Sequence, residues 1–141
     1  FVCENNDQSI PTGKLLNVKN TKYDLTKYYL IDEKFLKNGG IDNNYALENN
    51  NINKPVAKIY SRKTGMGVEY YTDQPGIQFY TGNFLDGTLP SKTGGNYNYR
   101  TGFCLETQHF PNSPNQKDFP SVILNPGEKY FSKTSFKFSV R

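Results

Sequence analysis

The sequence predicts an all-β fold, and three observations carry that expectation. Short runs rich in Val, Ile, Tyr, Phe and Thr recur along the chain, and clusters of Gly, Pro and Asn separate them. No stretch sustains a long helical period. Tyr 11 and Phe 10 make the aromatic share 15% against only 35% hydrophobic residues, so any core must be built largely from rings. Large rings bury more area each than Val or Ala, so disorder does not follow from the low aliphatic content. Short strands with regular turn signals read as a sandwich or a barrel. At 141 residues the chain is one domain or part of one.

The elements follow in order. Residues 4–13 are polar and contain Pro11 and Gly13, after which residues 14–18 make a short strand. Residues 24–37 mix Leu25, Tyr28, Leu30, Phe35 and Leu36 with charges and hold a helical turn or two without clear caps. The pair Gly39-Gly40 breaks that segment, and residues 45–47 form the next strand. The Asn-rich stretch 49–55 reads as an exposed hairpin connection. Residues 56–61 and 68–72 then flank Lys63-Thr64-Gly65-Met66-Gly67, whose glycines supply the positive φ a hairpin turn needs. Further strands are expected at 77–81, 102–108, 121–124 and 134–140. There is no internal repeat and no hinge-like linker.

Several function classes drop out. No run approaches the roughly 18 apolar residues of a membrane span, and residues 1–6 have neither the basic start nor the apolar core of a signal peptide. The net charge is +4, yet the lysines are spread over the whole length without a basic run, so a nucleic-acid partner is not expected. Cys3 and Cys104 are too few for a disulfide scaffold and lack the CxxC spacing of a zinc or redox site. Free thiols in a reducing, cytoplasmic compartment are the expectation, and the lack of any Asn-x-Ser/Thr acceptor agrees. The only Met is Met66, which reads Phe1 as exposed by processing or as internal to something longer. A single histidine, His109, rules out a metal site built on two His and a Ser/His/Asp or Cys/His arrangement within this chain. The loop after Thr81, with Gly82 and Gly87, lacks the Lys-Ser/Thr of a phosphate loop and opens no helix.

Glu106 is the most informative polar residue. Side chains alternate along a strand, so Cys104, Glu106 and Gln108 share one face while Phe103, Leu105, Thr107 and His109 share the other. With apolar Phe103, Leu105 and Phe110 nearby, Glu106 is either a general base with a raised pKa or a solvated strand carboxylate. Asp42 and Gln78 also lie beside strand-like segments, a setting suited to hydroxyl-rich ligands, and nearby aromatic faces suit sugar rings. Residue pattern alone reaches a carbohydrate-binding reading and stops there.

Longer motifs go further. Residues 72–87 (TDQPGIQFYTGNFLDG) and 102–111 (GFCLETQHFP) resemble signature segments of the aldose 1-epimerases, the galactose mutarotases. Residues 119–124 (FPSVIL), Pro126-Gly127-Glu128 and residues 137–140 are similar to that family's C-terminal strands. Residues 10–13 and 40–45 resemble the stretch that precedes them. The similarity runs over essentially the whole chain, 1–141.

The resemblance implies a large antiparallel β-sandwich, of which this chain is the C-terminal portion, with the N-terminal portion absent. It implies interconversion of the α and β anomers of hexoses such as galactose and glucose, with no metal and no cofactor. Glu106 falls on the family's catalytic glutamate, the base that takes the anomeric hydroxyl proton. Asp42 and Gln78 fall on its substrate-binding aspartate and glutamine. The family pattern Asp-His-Asn stands here as Asp42-Asn43-Asn44. The family's acid, a histidine, and a second site His and Arg belong to its N-terminal half and have no counterpart here, so the chain alone is expected to be inactive. Its partners would be a monosaccharide and either its missing N-terminal half or a second copy. A non-catalytic sugar-binding or interaction module is the alternative.

Overall fold

The computed structural model describes residues 1–37, 39–48 and 51–140. Among the described residues eight strands form two antiparallel sheets. In chain order they are β1 (Val2–Asn5), β2 (Pro11–Leu16), β3 (Asp42–Ala46), β4 (Ala57–Tyr60), β5 (Met66–Thr72), β6 (Gly76–Tyr80), β7 (Cys104–Gln108) and β8 (Thr134–Val140). The larger sheet has the order β2-β1-β3-β6-β7 and the smaller β4-β5-β8.

β1 was not expected as a strand, because only Val2 and Cys3 are apolar in it. Both are 1% exposed, and β1 is held by pairing on both sides, with β2 and with β3. Asn6 makes the hairpin: its Oδ1 accepts from the Gln8 and Ile10 amides at 3.0 Å each, a local side-chain turn. β2 consequently starts at Pro11, earlier than the expected 14–18. β3 also starts earlier than 45–47, taking in Asp42, Asn43 and Asn44, residues of poor strand propensity that gain their conformation from β6.

The helical segment is α1 (Glu33–Lys37), and it is capped after all. Asp32 Oδ1 accepts from the Phe35 amide at 2.9 Å while its carbonyl accepts from Leu36 at 3.0 Å. α1 thereby turns Phe35 into the core against Ile41 and Phe79.

The β4–β5 hairpin forms as expected and closes from Ser61 N to Met66 O at 2.8 Å. The stretch before it is no hairpin connection, because it leads from β3 in one sheet to β4 in the other. Its described part contains a turn, with Lys54 N donating to Asn51 O at 2.9 Å, while Asn49 and Asn50 lie outside the described residues. Residues 121–124 do not form the expected strand: they pair with no described strand, and Ile123 is 75% exposed. An apolar run supplies strand propensity, but a strand also needs a ladder partner.

Two apolar clusters sit on opposite faces of the larger sheet. Phe35, Ile41 and Phe79 pack with Tyr45 and Leu105 on one face. On the other, Cys3, Phe110 and Phe119 pack with Ala46, and the two rings meet edge to face with centroids 5.1 Å apart. Each buried Phe contributes on the order of 2 kcal/mol. The sheets join through hydroxyls: Thr134 Oγ1 lies 3.0 Å from Thr72 Oγ1 and 2.7 Å from Thr107 Oγ1. No helix among the described residues is long and apolar enough to cross a membrane.

Candidate functional site

Register builds the site. Across β3, β6 and β7 three rungs stand on one face: Asp42–Tyr80–Cys104, Asn44–Gln78–Glu106 and Ala46–Gly76–Gln108. The last rung abuts the Phe110–Phe119 cluster, because Gly76 lets both Asn44 and Phe110 come close. A Cβ there would lie 2.6 Å from Asn44 Oδ1 and 2.9 Å from the Phe110 ring. The first two rungs carry Asp42, Asn44, Gln78 and Glu106. Thus the same face is core at one end and open at the other.

Asp42 is placed by the turn before it. Gly40 has φ +63°, and a Cβ there would meet Thr81, Asn83 and Arg100 side chains. Thr81 Oγ1 accepts from the Ile41 amide at 2.8 Å, and Asn83 Nδ2 donates to the Ile41 carbonyl at 3.1 Å. These bonds tie the start of β3 to the end of β6. Gln78 then reaches diagonally and donates Nε2–H to Asp42 Oδ1 at 2.7 Å. Both residues are half-buried.

Glu106 occupies the same rung as Gln78, on the outer strand of the described sheet, and it is exposed. Of its apolar sequence neighbours, Phe103 and Leu105 are on the other face. Its carboxylate does act on Cys104: partial burial first, and then the Glu106 charge, push the Cys104 thiol above its ordinary value. Tyr80 adds an aromatic surface, stacked on Phe84 with centroids 6.0 Å apart, and Phe84 is 73% exposed.

His109 stands on the opposite face. Its Nδ1–H donates to Gln74 Oε1 at 2.9 Å, an orientation assigned by the Gln74 Nε2 donations to Ser132 Oγ at 2.9 Å and Tyr130 OH at 3.0 Å. It is a tie between β-elements and not a proton donor for the Glu106 face.

A small concavity of about 60 Å³ is lined by Asp42, Asn44 and Gln78 together with Pro11 and Pro111. Pro11 is held there by Asn112 Nδ2, which donates to its carbonyl at 2.9 Å. Asn44 was missed from the sequence, although strand alternation from Asp42 puts it on this face. It is 2% exposed, its Oδ1 accepts from the Cys3 thiol at 3.7 Å, and its Nδ2 is buried without a partner. Gln78 Oε1 is likewise buried and unpartnered. Among the described residues no group of three or more His, Cys, Asp or Glu side chains is arranged to hold a metal.

Known proteins share this arrangement of chain. The family model described as Aldose 1-epimerase matches residues 1–137. Galactose mutarotase from Bos taurus is 46% identical over 134 residues, covering 93% of this chain and 39% of the relative. Aldose 1-epimerase from Escherichia coli (strain K12) is 35% identical over 138 residues, covering 92% of this chain and 40% of the relative. The solved structure of a GalM/aldose epimerase homologue from C. elegans superposes with a TM-score of 0.84 at 24% identity, over 99% of this chain and 43% of that one. At that identity it speaks for the fold, a mutarotase-like β-sandwich architecture. The chain spans about two fifths of the length of the curated relatives it matches. With a family model covering nearly its whole length, this chain belongs to the aldose 1-epimerase family.

Proposed function

We propose that this chain supplies the base and part of the sugar site of a mutarotase that interconverts the α and β anomers of hexoses such as galactose and glucose. One observation carries the reading: Asp42, Gln78 and Glu106 stand on adjacent strands of one sheet face, in two neighbouring rungs. Neighbouring strands are about 4.8 Å apart, so the three polar groups span a distance suited to one sugar ring.

In this reading Glu106 takes the proton from the anomeric hydroxyl while an acid gives one to the ring oxygen. The C1–O5 bond breaks, leaving the open-chain aldehyde. Rotation about C1–C2 presents its other face, and reclosure with the proton roles reversed yields the other anomer. Asp42 accepts a hydrogen bond from a sugar hydroxyl, and Gln78 holds Asp42 in place. Base and acid must act on opposite sides of one hemiacetal and each contributes on the order of 10²–10⁴-fold.

The acid comes from outside this chain, because its one histidine is committed to Gln74. In this reading the chain works as the C-terminal portion of a single sandwich in a cytoplasmic protein and is inactive alone. Exposed apolar side chains support that. Phe136, Phe138 and Val140 share one face of β8 with exposures of 53%, 69% and 81%, beside Met66 of β5 at 53%. Such a face calls for cover, by further chain or by a second copy.

Polarimetry of freshly dissolved α-galactose tests the reading. A full-length protein carrying this chain should accelerate mutarotation over the buffer blank, and Glu106→Gln should reduce its turnover at least ~10²-fold with sugar affinity little changed. Normal turnover in that variant removes Glu106 from the mechanism. Sugar binding without acceleration in the wild type would favour a non-catalytic module.

A further inference from the structure

The rung Asn44–Gln78 contains a mismatch that points beyond the residues already assigned. Asn44 Nδ2 is a donor and Gln78 Oε1 an acceptor; both are buried, and neither has a hydrogen-bond partner. They belong to directly paired residues on one face. Side chains so paired start about 5 Å apart at Cβ, a gap that a direct bond or one water closes.

The bonds on either side of this gap run in one direction. The Cys3 thiol donates to Asn44 Oδ1 at 3.7 Å, and burial holds that thiol protonated by pushing its pKa up to about 11. A donor on Oδ1 fixes the Asn44 amide so that Nδ2 points away from Cys3. Gly76 leaves room for that oxygen, since a Cβ at Gly76 would fall 2.6 Å from it. Beyond the gap, Gln78 Nε2 donates to Asp42 Oδ1 at 2.7 Å.

We propose that Asn44 is a positioning residue for the sugar site: its Nδ2 donates to Gln78 Oε1, directly or through one enclosed water, and so completes a line from Cys3 through Asn44 and Gln78 to Asp42. The inference rests on the reading of Asp42 as a sugar-binding residue. The physical role of Asn44 is to choose between the two ends of the Gln78 amide. With a donor on the Asn44 side, Oε1 turns there and Nε2 faces Asp42. Without it, the amide can rotate and set Oε1 against the carboxylate, which repels it. Bonds aligned in series also polarise one another, and this line ends on a charged acceptor.

The test uses Asn44→Asp and Asn44→Leu in a full-length protein carrying this chain, with thermal unfolding as a control for folding. Asn44→Asp keeps the acceptor for Cys3 and removes the donor to Gln78; Asn44→Leu avoids burying a charge should the first fail to fold. Either variant should raise KM for the hexose about tenfold with kcat within threefold. In a Gln78→Leu background, Asn44→Leu should raise KM less than a further twofold, because the line is already cut. A structural role alone would lower the unfolding temperature and leave KM unmoved. An unchanged KM, or an effect fully additive with Gln78→Leu, overturns the proposal. A crystal structure of the wild type should show Asn44 Nδ2 bonded to Gln78 Oε1 or both bonded to one water, and neither contact would also overturn it. If the wild type neither binds nor turns over hexose, the reading of Asp42 fails and takes this inference with it. A wild type that does both, with unmoved variants, sinks this inference alone.

Discussion

Gln78 sits one rung away from Asp42 across the β3–β6 ladder, and its Nε2 donates to Asp42 Oδ1 at 2.7 Å. The bond is charge-assisted and diagonal, so it couples the orientation of the carboxylate to the register of two strands. A one-residue slip of either strand would send its side chain to the opposite face and break the bond. The buried Asn44 rung and the Phe110–Phe119 cluster below it resist that slip.

Gly76 is where that support is tightest. Gly76→Ala should destabilise the chain by about 1–3 kcal/mol, the usual cost of overpacking, since the added methyl meets Asn44 Oδ1 and the Phe110 ring. Urea unfolding monitored by circular dichroism measures this; an unchanged midpoint means the cluster gives way without cost.

The two thiols should differ in reactivity. Cys104 is exposed and Cys3 buried, so an alkylating reagent should modify Cys104 in the native state and Cys3 only on unfolding. Glu106 is one of the causes that raise the Cys104 pKa, so Glu106→Gln should lower it and speed alkylation at pH 8. Mass spectrometry of timed samples reads both effects, and an equal or slower rate in Glu106→Gln excludes the carboxylate as a neighbour.

Cys3 should also leave a mark on alkaline stability. Burial raises its pKa from 9.0 to about 11, so above pH 9 the unfolded chain loses this proton first. The unfolded state then binds fewer protons than the native one, and stability falls as pH rises from about 9 to 11. Below pH 9 the contribution is fully present. Urea midpoints at pH 8 and 10.5 should drop more in the wild type than in Cys3→Ala, and parallel drops would show that the thiol does not titrate this way.

His109 provides the control for the acid. In a full-length protein His109→Gln should hold turnover within about threefold, because the imidazole faces away from Glu106 and is spent on Gln74. It should lower stability by roughly 0.5–1.5 kcal/mol for the altered hydrogen bond. A loss of turnover near 10²-fold in mutarotation assays would reinstate it as a proton donor.

Much of this site was legible because alternation is a local property. Glu106 and His109 are three residues apart, and a period of two puts them on opposite faces whatever else the chain does. The β4–β5 hairpin and β8 were likewise readable from β-branched and aromatic runs flanking turn residues. β1 was not, since Val2-Cys3-Glu4-Asn5 carries too little apolar pattern, and β3 was not from its start, since Asp42-Asn43-Asn44 has poor strand propensity. Both are strands because neighbours on each side complete their hydrogen bonds. Residues 121–124 show the converse, a strand-like run with no described strand to pair with.

By itself the sequence determined the all-β class, the β4–β5 turn, the alternation of faces along β7 and, through long motifs, the family. Tertiary structure decided which strands are neighbours, and with that the meeting of Asp42, Gln78 and Asn44, the exposure of Glu106 and the capture of His109 by Gln74. The reason is physical: side-chain alternation follows from the backbone of one strand, whereas register and burial depend on segments distant along the chain.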